Sequence, residues 1–340
     1  MHIKAIDFIS KGFNADKLLK RAGYPIIMPM YHAVGYAEEL NYLKHLYHVI
    51  DEVSFEQGLD RLLEEYTPID LFQLINLYER GFPKTKEKFM FLSFDDGLRC
   101  CYDIIYPILK SKGVPATFFL NADFIDNKKM FHRFKSTVIF NQLSNRTKKN
   151  VIVKEIEQLA NKQINNDFEL LNTLLSFRYT SNKTLDSIAR SAGINFNDFL
   201  IANKPYMSSS QIKELKKNGF TFGAHSMDHP EYYLLSENDQ IQQTVDSMQY
   251  LVENFNLDYK VFAFPFTDIG VNKSFYHKIN NEHGFTLTFG GSGVKKDSIL
   301  SNLHRIPMDV THMSATDYVR SELLHYNLKK RVGKHVVQRN

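Results

Sequence analysis

The sequence contains no tryptophan, only two cysteines and no long run of apolar residues. Cys100 and Cys101 are adjacent, so they provide no framework of paired disulfides, and this usage is typical of a reducing compartment. The longest apolar stretch, residues 24–34, contains Pro25 and Pro29 and is too short for a membrane-spanning helix, which needs about 20 apolar residues. Nor does the N-terminus combine a basic segment with an apolar one, as a signal peptide would. We therefore expect a cytoplasmic protein without a transmembrane segment.

The sequence also lacks an excess of charge of one sign. Its 42 Lys and Arg residues and 38 Asp and Glu residues are interleaved and leave a net charge of +4 over 340 residues. This balance argues against nucleic acid as the main partner. Residues 328–335 form a basic tail. A solvated end is the commoner interpretation of such a tail, and peripheral contact with the inner face of a membrane is the alternative.

Units of a helix followed by a strand recur along the chain. Gly113, Gly219 and Gly284 each separate a helical pattern from an apolar, strand-like run. Glycine just past a helix supplies the left-handed conformation of a C-cap. Ser208 and Gln211 have the spacing of a capping box at the start of one such helix. Strands that alternate with helices predict a largely parallel α/β sheet or barrel.

One part of the chain departs from this rhythm. Residues 127–204 are polar, rich in Asn and Lys and mostly helical in pattern, which predicts a helical insertion. The insertion separates two barrel halves, residues 24–126 and 205–326, of a single domain that spans residues 1–340. Further strand-like runs occupy residues 26–31, 89–94, 261–264 and 303–307. Sites in such folds lie at the C-terminal ends of the strands.

Two short segments that follow apolar runs carry side chains suited to metal binding. The first contains Asp95 and Asp96, and the second contains His225 and His229. Two imidazoles and one carboxylate form a three-ligand site of the zinc type, and a second carboxylate beside it is a base for water. Each segment alone has an ordinary alternative, because Asp-Gly also marks a turn and two His are often unrelated. The combination on one predicted rim favours the metal site.

Four motifs, in this order along the chain, resemble those of the polysaccharide deacetylases, carbohydrate esterase family 4, which share the NodB-homology domain. They are Phe94–Gly97, His225–His229, Phe262–Phe266 and Leu303–Pro307. The segment Met30–Val34 is similar to the opening strand of many members. The resemblance covers residues 25–309 apart from the insertion, and it implies a distorted (β/α) barrel with that helical insertion.

The resemblance also implies a role for each matched residue. A divalent metal, expected to be zinc with cobalt, nickel or manganese as alternatives, is bound by three side chains: Asp96, His225 and His229. Asp95 is the general base that takes a proton from the water at the metal. The backbone N–H of Phe266 helps to hold the developing oxyanion. His304 is the general acid that protonates the leaving group.

The sequence departs from the family pattern at two points. Ala263 stands where the third motif usually has an Arg that orients the catalytic carboxylate. We hypothesise that Arg305 supplies this guanidinium from a neighbouring strand. The motif around His304 is also loose, and a strand His bonded to a carboxylate is an equal alternative to the general acid.

Two further segments have alternative interpretations. His32 has either a structural role at the end of the first strand or a place in the wall of the cleft. Residues 131–134, Phe-His-Arg-Phe, suit either an aromatic wall for a sugar or the packing of an amphipathic helix.

The predicted function is a metal-dependent hydrolase that removes an acetyl group from an N-acetylated sugar of a polysaccharide or its precursor. The expected substrate is an acetylated glycan or a lipid-linked sugar of bacterial exopolysaccharide synthesis. One alternative is another amide hydrolase that acts on non-peptide C–N bonds with the same fold. The other is a catalytically impaired glycan-binding homologue, which the missing Arg motivates. The sequence leaves the oligomeric state open.

Overall fold

The structure is a computed structural model that describes residues 15–23, 25–83, 86–143 and 149–340. Residue 24, where the first predicted barrel half begins, lies outside these ranges. The helices are α1 (Ala15–Ala22), α2 (Glu52–Glu65), α3 (Leu71–Glu79), α4 (Tyr106–Lys112), α5 (His132–Leu143), α6 (Lys149–Ala160), α7 (Asp167–Ser176), α8 (Asn182–Ser191), α9 (Phe196–Asn203), α10 (Ser209–Lys217), α11 (Glu237–Phe255), α12 (Lys273–Asn281) and α13 (Ala315–Arg331). The strands are β1 (Ile26–Ile27), β2 (Pro29–Tyr31), β3 (Thr67–Pro68), β4 (Phe89–Met90), β5 (Ser93–Phe94), β6 (Thr117–Leu120), β7 (Thr221–Ala224), β8 (Val261–Ala263), β9 (Leu287–Gly290), β10 (Lys296–Asp297), β11 (Asn302–His304), β12 (Ile306–Pro307) and β13 (Val336–Val337).

Eight parallel strands form the central sheet in the order β11-β9-β8-β7-β6-β5-β2-β12. The strands at the two ends of this order, β11 and β12, are separated in the chain only by Arg305. Residues 302–307 therefore pair with β9 on one side and with β2 on the other, which closes the sheet into a nearly complete barrel. The predicted distorted (β/α) barrel is confirmed.

Two of the predicted strands each divide between two sheets. The first parts of residues 26–31 and 89–94 join the small sheet β1-β4-β3, and the second parts join the barrel. Both parts keep a parallel register, with Ile26 opposite Phe89 and Met30 opposite Ser93. Apolar periodicity does not reveal such a switch, because a strand buried in either sheet is apolar throughout.

The local signals predicted for the helices are present. The Ser208 side chain accepts a hydrogen bond from the Gln211 backbone N–H, and the Gln211 side chain accepts one from the Ser208 N–H, which is a complete capping box. Gly113 ends α4 with a left-handed φ of 64°. Among the described residues, no helix is both long enough and apolar enough to cross a bilayer.

The segment 127–204 lies between β6 and β7 and carries α5 to α9. Its apolar residues Leu170, Leu174 and Leu185 are buried, and they belong to the same contiguous cluster as Phe118 and Phe222 of the barrel. The segment therefore packs onto the barrel and shares its core.

Candidate metal centre and catalytic cavity

The candidate ligands directly follow two strands of the barrel. Asp95 and Asp96 come after β5, and His225 comes after β7. Parallel strands bring their C-terminal ends to one rim of a barrel, which is the usual location of an active site. Only β6 separates β5 from β7 in the sheet, so the two loops meet across one strand.

Asp96, His225 and His229 converge on one point. The Nε2 atoms of His225 and His229 lie 3.4 and 3.1 Å from Oδ1 of Asp96. One ligand atom from each of the three residues lies within 4.8 Å of the others, and all three side chains are buried. The structure thus brings together the three residues that the motifs singled out as ligands.

The hydrogen bonding and charge of these residues fit a divalent cation. Nδ1–H of His225 donates to the carbonyl of Ala263 at 2.8 Å, which directs the Nε2 lone pair towards Asp96. Burial lowers the pKa of His229 to about 4, so its imidazole is neutral near pH 7, as a metal ligand must be. Burial would raise the pKa of Asp96, but the imidazoles of His229 and His225 hold it well below its usual range. Oδ1 of Asp96 has no hydrogen-bond partner among the described residues, and a cation would satisfy it.

The other oxygen of Asp96 is held by a residue that the sequence motifs do not identify. The Tyr47 hydroxyl donates a hydrogen bond of 2.5 Å to Oδ2 of Asp96. The Tyr47 ring also stacks on His32, with centroids 4.5 Å apart. Tyr47 lies in the connection between β2 and α2, where neither periodicity nor a motif points to it. Partners of this kind orient a ligating carboxylate.

Asp95 is held by a two-pronged ion pair. The Nη1 and Nη2 atoms of Arg305 donate to Oδ1 and Oδ2 of Asp95 at 2.6 and 2.7 Å, and Nη1 also donates to Ser93 Oγ at 3.1 Å. Both charged side chains are 1% exposed. Burial would raise the pKa of Asp95, but the charge and hydrogen bonds of Arg305, together with the charges of His225 and His32, outweigh this effect and lower it. Asp95 is therefore ionised near neutral pH and fixed in orientation.

His32 faces the same cavity and is paired with a carboxylate. Its backbone N–H and its Nδ1 both donate to Oδ2 of Asp309, each at 2.8 Å. Burial lowers the pKa of His32, but the charge and hydrogen bond of Asp309, together with the charges of Asp96 and Asp95, raise it to about 9. His32 is thus protonated at neutral pH. The sequence allowed either a structural role or a place in the wall of the cleft for His32. Its position in the structure is in that wall.

These groups surround a cavity of about 260 Å³. His32, Tyr47, Asp95 and Arg305 line one part of it. Three aromatic residues and a further cation line another part: Phe131, Phe264, Phe266 and Arg133. The Phe266 ring lies against the imidazole of His229, with centroids 4.6 Å apart. The cavity therefore combines polar groups at the metal centre with an apolar wall, as small-molecule sites do.

Three residues of this site have uncommon backbone conformations. Asp96, His229 and Phe266 have φ values of 69°, 63° and 56°, in the left-handed region that side chains disfavour. Each such residue costs about 1–3 kcal/mol, which the surrounding contacts must offset. Strain of this kind is typical of functional sites. Here it falls on two candidate metal ligands and on the residue expected to hold the oxyanion.

His304 lies away from this cavity. Its Nε2–H donates to Oδ2 of Asp297 at 3.0 Å, and its Nδ1 lies 3.9 Å from Asp268. His304 and Arg305 are neighbours in an extended segment, so their side chains point to opposite faces, and Arg305 faces the site. The expectation that His304 acts as the general acid is therefore corrected, and a strand His bonded to a carboxylate describes its position.

The cluster around His304 also contains the end of the chain. β13 pairs in parallel with β10, and the nearby Arg339 binds Asp297 at 2.6 Å and also binds Asp268. Asp268, Asp297 and His304 have the composition of a metal site. Because the guanidinium of Arg339 already pairs with both carboxylates, this second cluster is an internal ion-pair network.

A nearly closed parallel barrel with two imidazoles and two carboxylates on its rim is an arrangement suited to hydrolysis assisted by a divalent metal. The sequence profile described as polysaccharide deacetylase matches residues 83–179 and 179–288. The chain therefore belongs to the polysaccharide deacetylase family, whose members are hydrolases that remove acetyl groups from acetylated sugars. The resemblance seen in the motifs is thereby confirmed.

Solved structures with the same fold include three bacterial proteins. The Streptococcus pyogenes deacetylase PplD, in complex with acetate, has a TM-score of 0.54 and 17% identity over 87% of this chain and 97% of that chain. IcaB from Ammonifex degensii has a TM-score of 0.56 and 18% identity over 88% and 97%. A de-N-acetylase from Aggregatibacter actinomycetemcomitans has a TM-score of 0.51 and 15% identity over 86% and 99%. No curated protein matches this sequence.

Proposed function

We propose that this deacetylase removes the acetyl group of an N-acetylated sugar in a polysaccharide or its precursor, with a divalent metal held by Asp96, His225 and His229. The observation that carries the proposal is the convergence of these three residues beside the ion-paired carboxylate of Asp95. Two imidazoles and a carboxylate suit zinc, with cobalt, nickel or manganese as alternatives. When bound, the ion would polarise the acetyl carbonyl and lower the pKa of an attacking water.

Asp95 acts as the general base. Its Oδ2 lies 4.0 Å from Nε2 of His225, so one carboxylate oxygen faces the point on which the ligands converge. Arg305 keeps Asp95 ionised and aimed at this point, which is the role proposed for it from the sequence. A carboxylate in this position accepts a proton from water as the water attacks the carbonyl carbon. Since Arg305 supplies the guanidinium that is missing at Ala263, the reason for considering an inactive homologue disappears.

His32 donates the proton that the leaving amine requires. It lines the cavity together with Asp95, and its pairing with Asp309 keeps it protonated at neutral pH. A good proton donor has a pKa near or somewhat above the working pH, and expulsion of an amine depends on such a donor. His32 therefore takes the role that the motifs had suggested for His304.

The backbone N–H of Phe266 is the proposed partner of the developing oxyanion. Phe266 lines the cavity beside His229, and its left-handed φ of 56° turns the chain at this point. Backbone donors fixed before the reaction stabilise such charge well, because they need no reorganisation. The aromatic wall next to it suits the apolar face of a sugar ring.

The substrate is proposed to be an acetylated glycan or a lipid-linked sugar of exopolysaccharide synthesis. The cytoplasmic location expected from the sequence stays a prediction, which cell fractionation tests.

The test of the proposed function is acetate release from N-acetylglucosamine oligomers. We expect release by the metal-loaded enzyme, loss on chelation and loss in Asp96→Ala. Asp228→Asn is a matched control, because Asp228 lies between the two His but bonds Tyr179 and Gln243 instead of facing the metal centre. Metal content measured on the same samples identifies the ion. Release that persists in Asp96→Ala without bound metal would contradict the proposal.

A further inference from the structure

Arg133 is a cation in the wall of the cavity and has no anionic partner among the residues that the structure describes. It belongs to the first turn of α5, within the segment 127–204. Its guanidinium lies over the ring of Phe266, 4.4 Å from the centroid, and it lines the cavity together with His32 and Asp95. Among the described residues it forms no ion pair, and its Nε is buried without a hydrogen-bond partner.

Glu231, the acid whose charge acts most strongly on Arg133, already has other partners. The Glu231 carboxylate accepts a hydrogen bond from the Tyr179 N–H at 3.0 Å and lies 3.7 Å from His132 and 3.6 Å from Arg178. The other cations of the cavity also have partners, since Arg305 is bound to Asp95 and His32 to Asp309. Unlike Arg305 and His32, Arg133 therefore has no ion-pair partner among the described residues.

Burying a guanidinium partly without an ion-pair partner costs free energy, and a bound anionic ligand would offset that cost. Its five N–H donors form a planar fork that matches a carboxylate or a phosphate. The same Phe266 ring touches both Arg133 and the candidate ligand His229, so the guanidinium lies within reach of a sugar bound at the metal centre.

We propose that Arg133 binds a negatively charged group of the substrate, a carboxylate or a phosphodiester, carried by the acetylated sugar or by its neighbour. This inference rests on the proposed function and specifies its substrate class: an acidic glycan, or a sugar linked through phosphate. A charge-assisted contact of this kind is worth about tenfold to hundredfold in affinity.

The test uses three probes and two readouts on the full chain. The probes are a neutral tetramer of N-acetylglucosamine, an alternating tetramer of N-acetylglucosamine and glucuronate, and N-acetylglucosamine with a methyl phosphodiester at position 1. Binding is measured by calorimetry in the presence of a chelator, and acetate release is measured with metal. Preference for the glucuronate or the phosphodiester probe identifies which anion is recognised.

We expect the wild type to bind one anionic probe about tenfold to hundredfold more tightly than the neutral tetramer. Arg133→Gln removes this preference but leaves the neutral probe within about threefold, and Arg133→Lys keeps part of it. Arg178→Gln is the matched control, because its exposed guanidinium already lies near Glu231.

Equal binding of all three probes by the wild type would overturn the proposal, as would an equal loss for all probes in Arg133→Gln. If no probe releases acetate although the anionic preference and its loss in Arg133→Gln are observed, the proposed function fails and the anion site stands.

Discussion

Arg305 binds both carboxylate oxygens of Asp95, at 2.6 and 2.7 Å, although 210 positions separate the two residues. The guanidinium also lies 4.9 Å from the ring centroid of Phe119, so packing as well as charge fixes it. The position where the family usually has its Arg is Ala263, which instead offers a carbonyl to His225. The guanidinium that binds the proposed base thus comes from the segment that closes the barrel.

Replacing Arg305 tests this relationship. Lys keeps the charge but cannot form two parallel bonds to a carboxylate. We expect Arg305→Lys to reduce kcat/KM by about a hundredfold through misplacement of Asp95, mainly in kcat. Acetate-release kinetics and thermal unfolding of the same samples separate this effect from a loss of stability.

Arg99→Lys is the control for this substitution, because Arg99 forms an exposed pair with Asp103 at 2.8 Å. It should leave both measurements unchanged. Undiminished acetate release by Arg305→Ala would exclude the orienting role.

Tyr47→Phe should weaken metal binding. The hydroxyl holds Oδ2 of Asp96, and loss of such a partner typically costs about 10–100-fold in metal affinity. Titration with a competing chelator measures this without any substrate. Tyr36→Phe, at a side chain that is 48% exposed, is the control and should bind the metal as the wild type does. Equal affinity in Tyr47→Phe would show that the hydrogen bond does not orient the ligand.

The pH profile should report His32. A general acid must be protonated, so kcat/KM should fall as the pH rises through about 9, the pKa of His32, which the charge of Asp309 helps to raise. Asp309→Asn removes the charge that raises this pKa. The alkaline limb of the profile, where kcat/KM falls with rising pH, should then move towards a pH of about 6.5, the ordinary pKa of His. The measurement is kcat/KM for an N-acetylglucosamine oligomer between pH 5 and about 10.

His304→Gln is the companion variant in that experiment. It should lower the melting temperature, because it disturbs a buried network, and leave the alkaline limb in place. If the limb instead moved in His304→Gln and stayed in Asp309→Asn, the role of proton donor would return to His304.

Arg339→Ala should destabilise the protein strongly. The Arg339 side chain is 2% exposed and pairs with Asp297 and Asp268. Its removal leaves buried carboxylates uncompensated, which costs about 3–5 kcal/mol in the free energy of unfolding. Urea denaturation measures this. Arg331→Ala, at an exposed position in the last turn of α13, should change stability little, and equal effects of both variants would refute the assignment.

The sequence predicted the barrel and the three converging residues because both depend on local signals. Asp96 and His225 follow apolar strands, and parallel strands bring such positions to one rim. Capping signals at Ser208 and Gly113 likewise act within a few residues.

The supporting groups were harder to predict because their partners are distant in sequence. His32 and Asp309 are 277 positions apart, and no local sequence pattern predicts that they form a pair. Tyr47 lies outside any motif. One signal was available, however: adjacent residues of a strand face opposite ways, so His304 and Arg305 could not both reach Asp95.

The closing segment, residues 302–307, is also synthesised after most of the proposed site. On the ribosome, Asp95, Asp96, His225 and His229 all emerge before Arg305 does. At that stage the chain contains the proposed metal ligands but still lacks the guanidinium that binds Asp95. Because Arg305 joins β11 to β12, the same event that seals the barrel delivers that guanidinium. Given the proposed roles, we expect incomplete or unsealed chains to release acetate poorly, so that activity would report completion of the barrel.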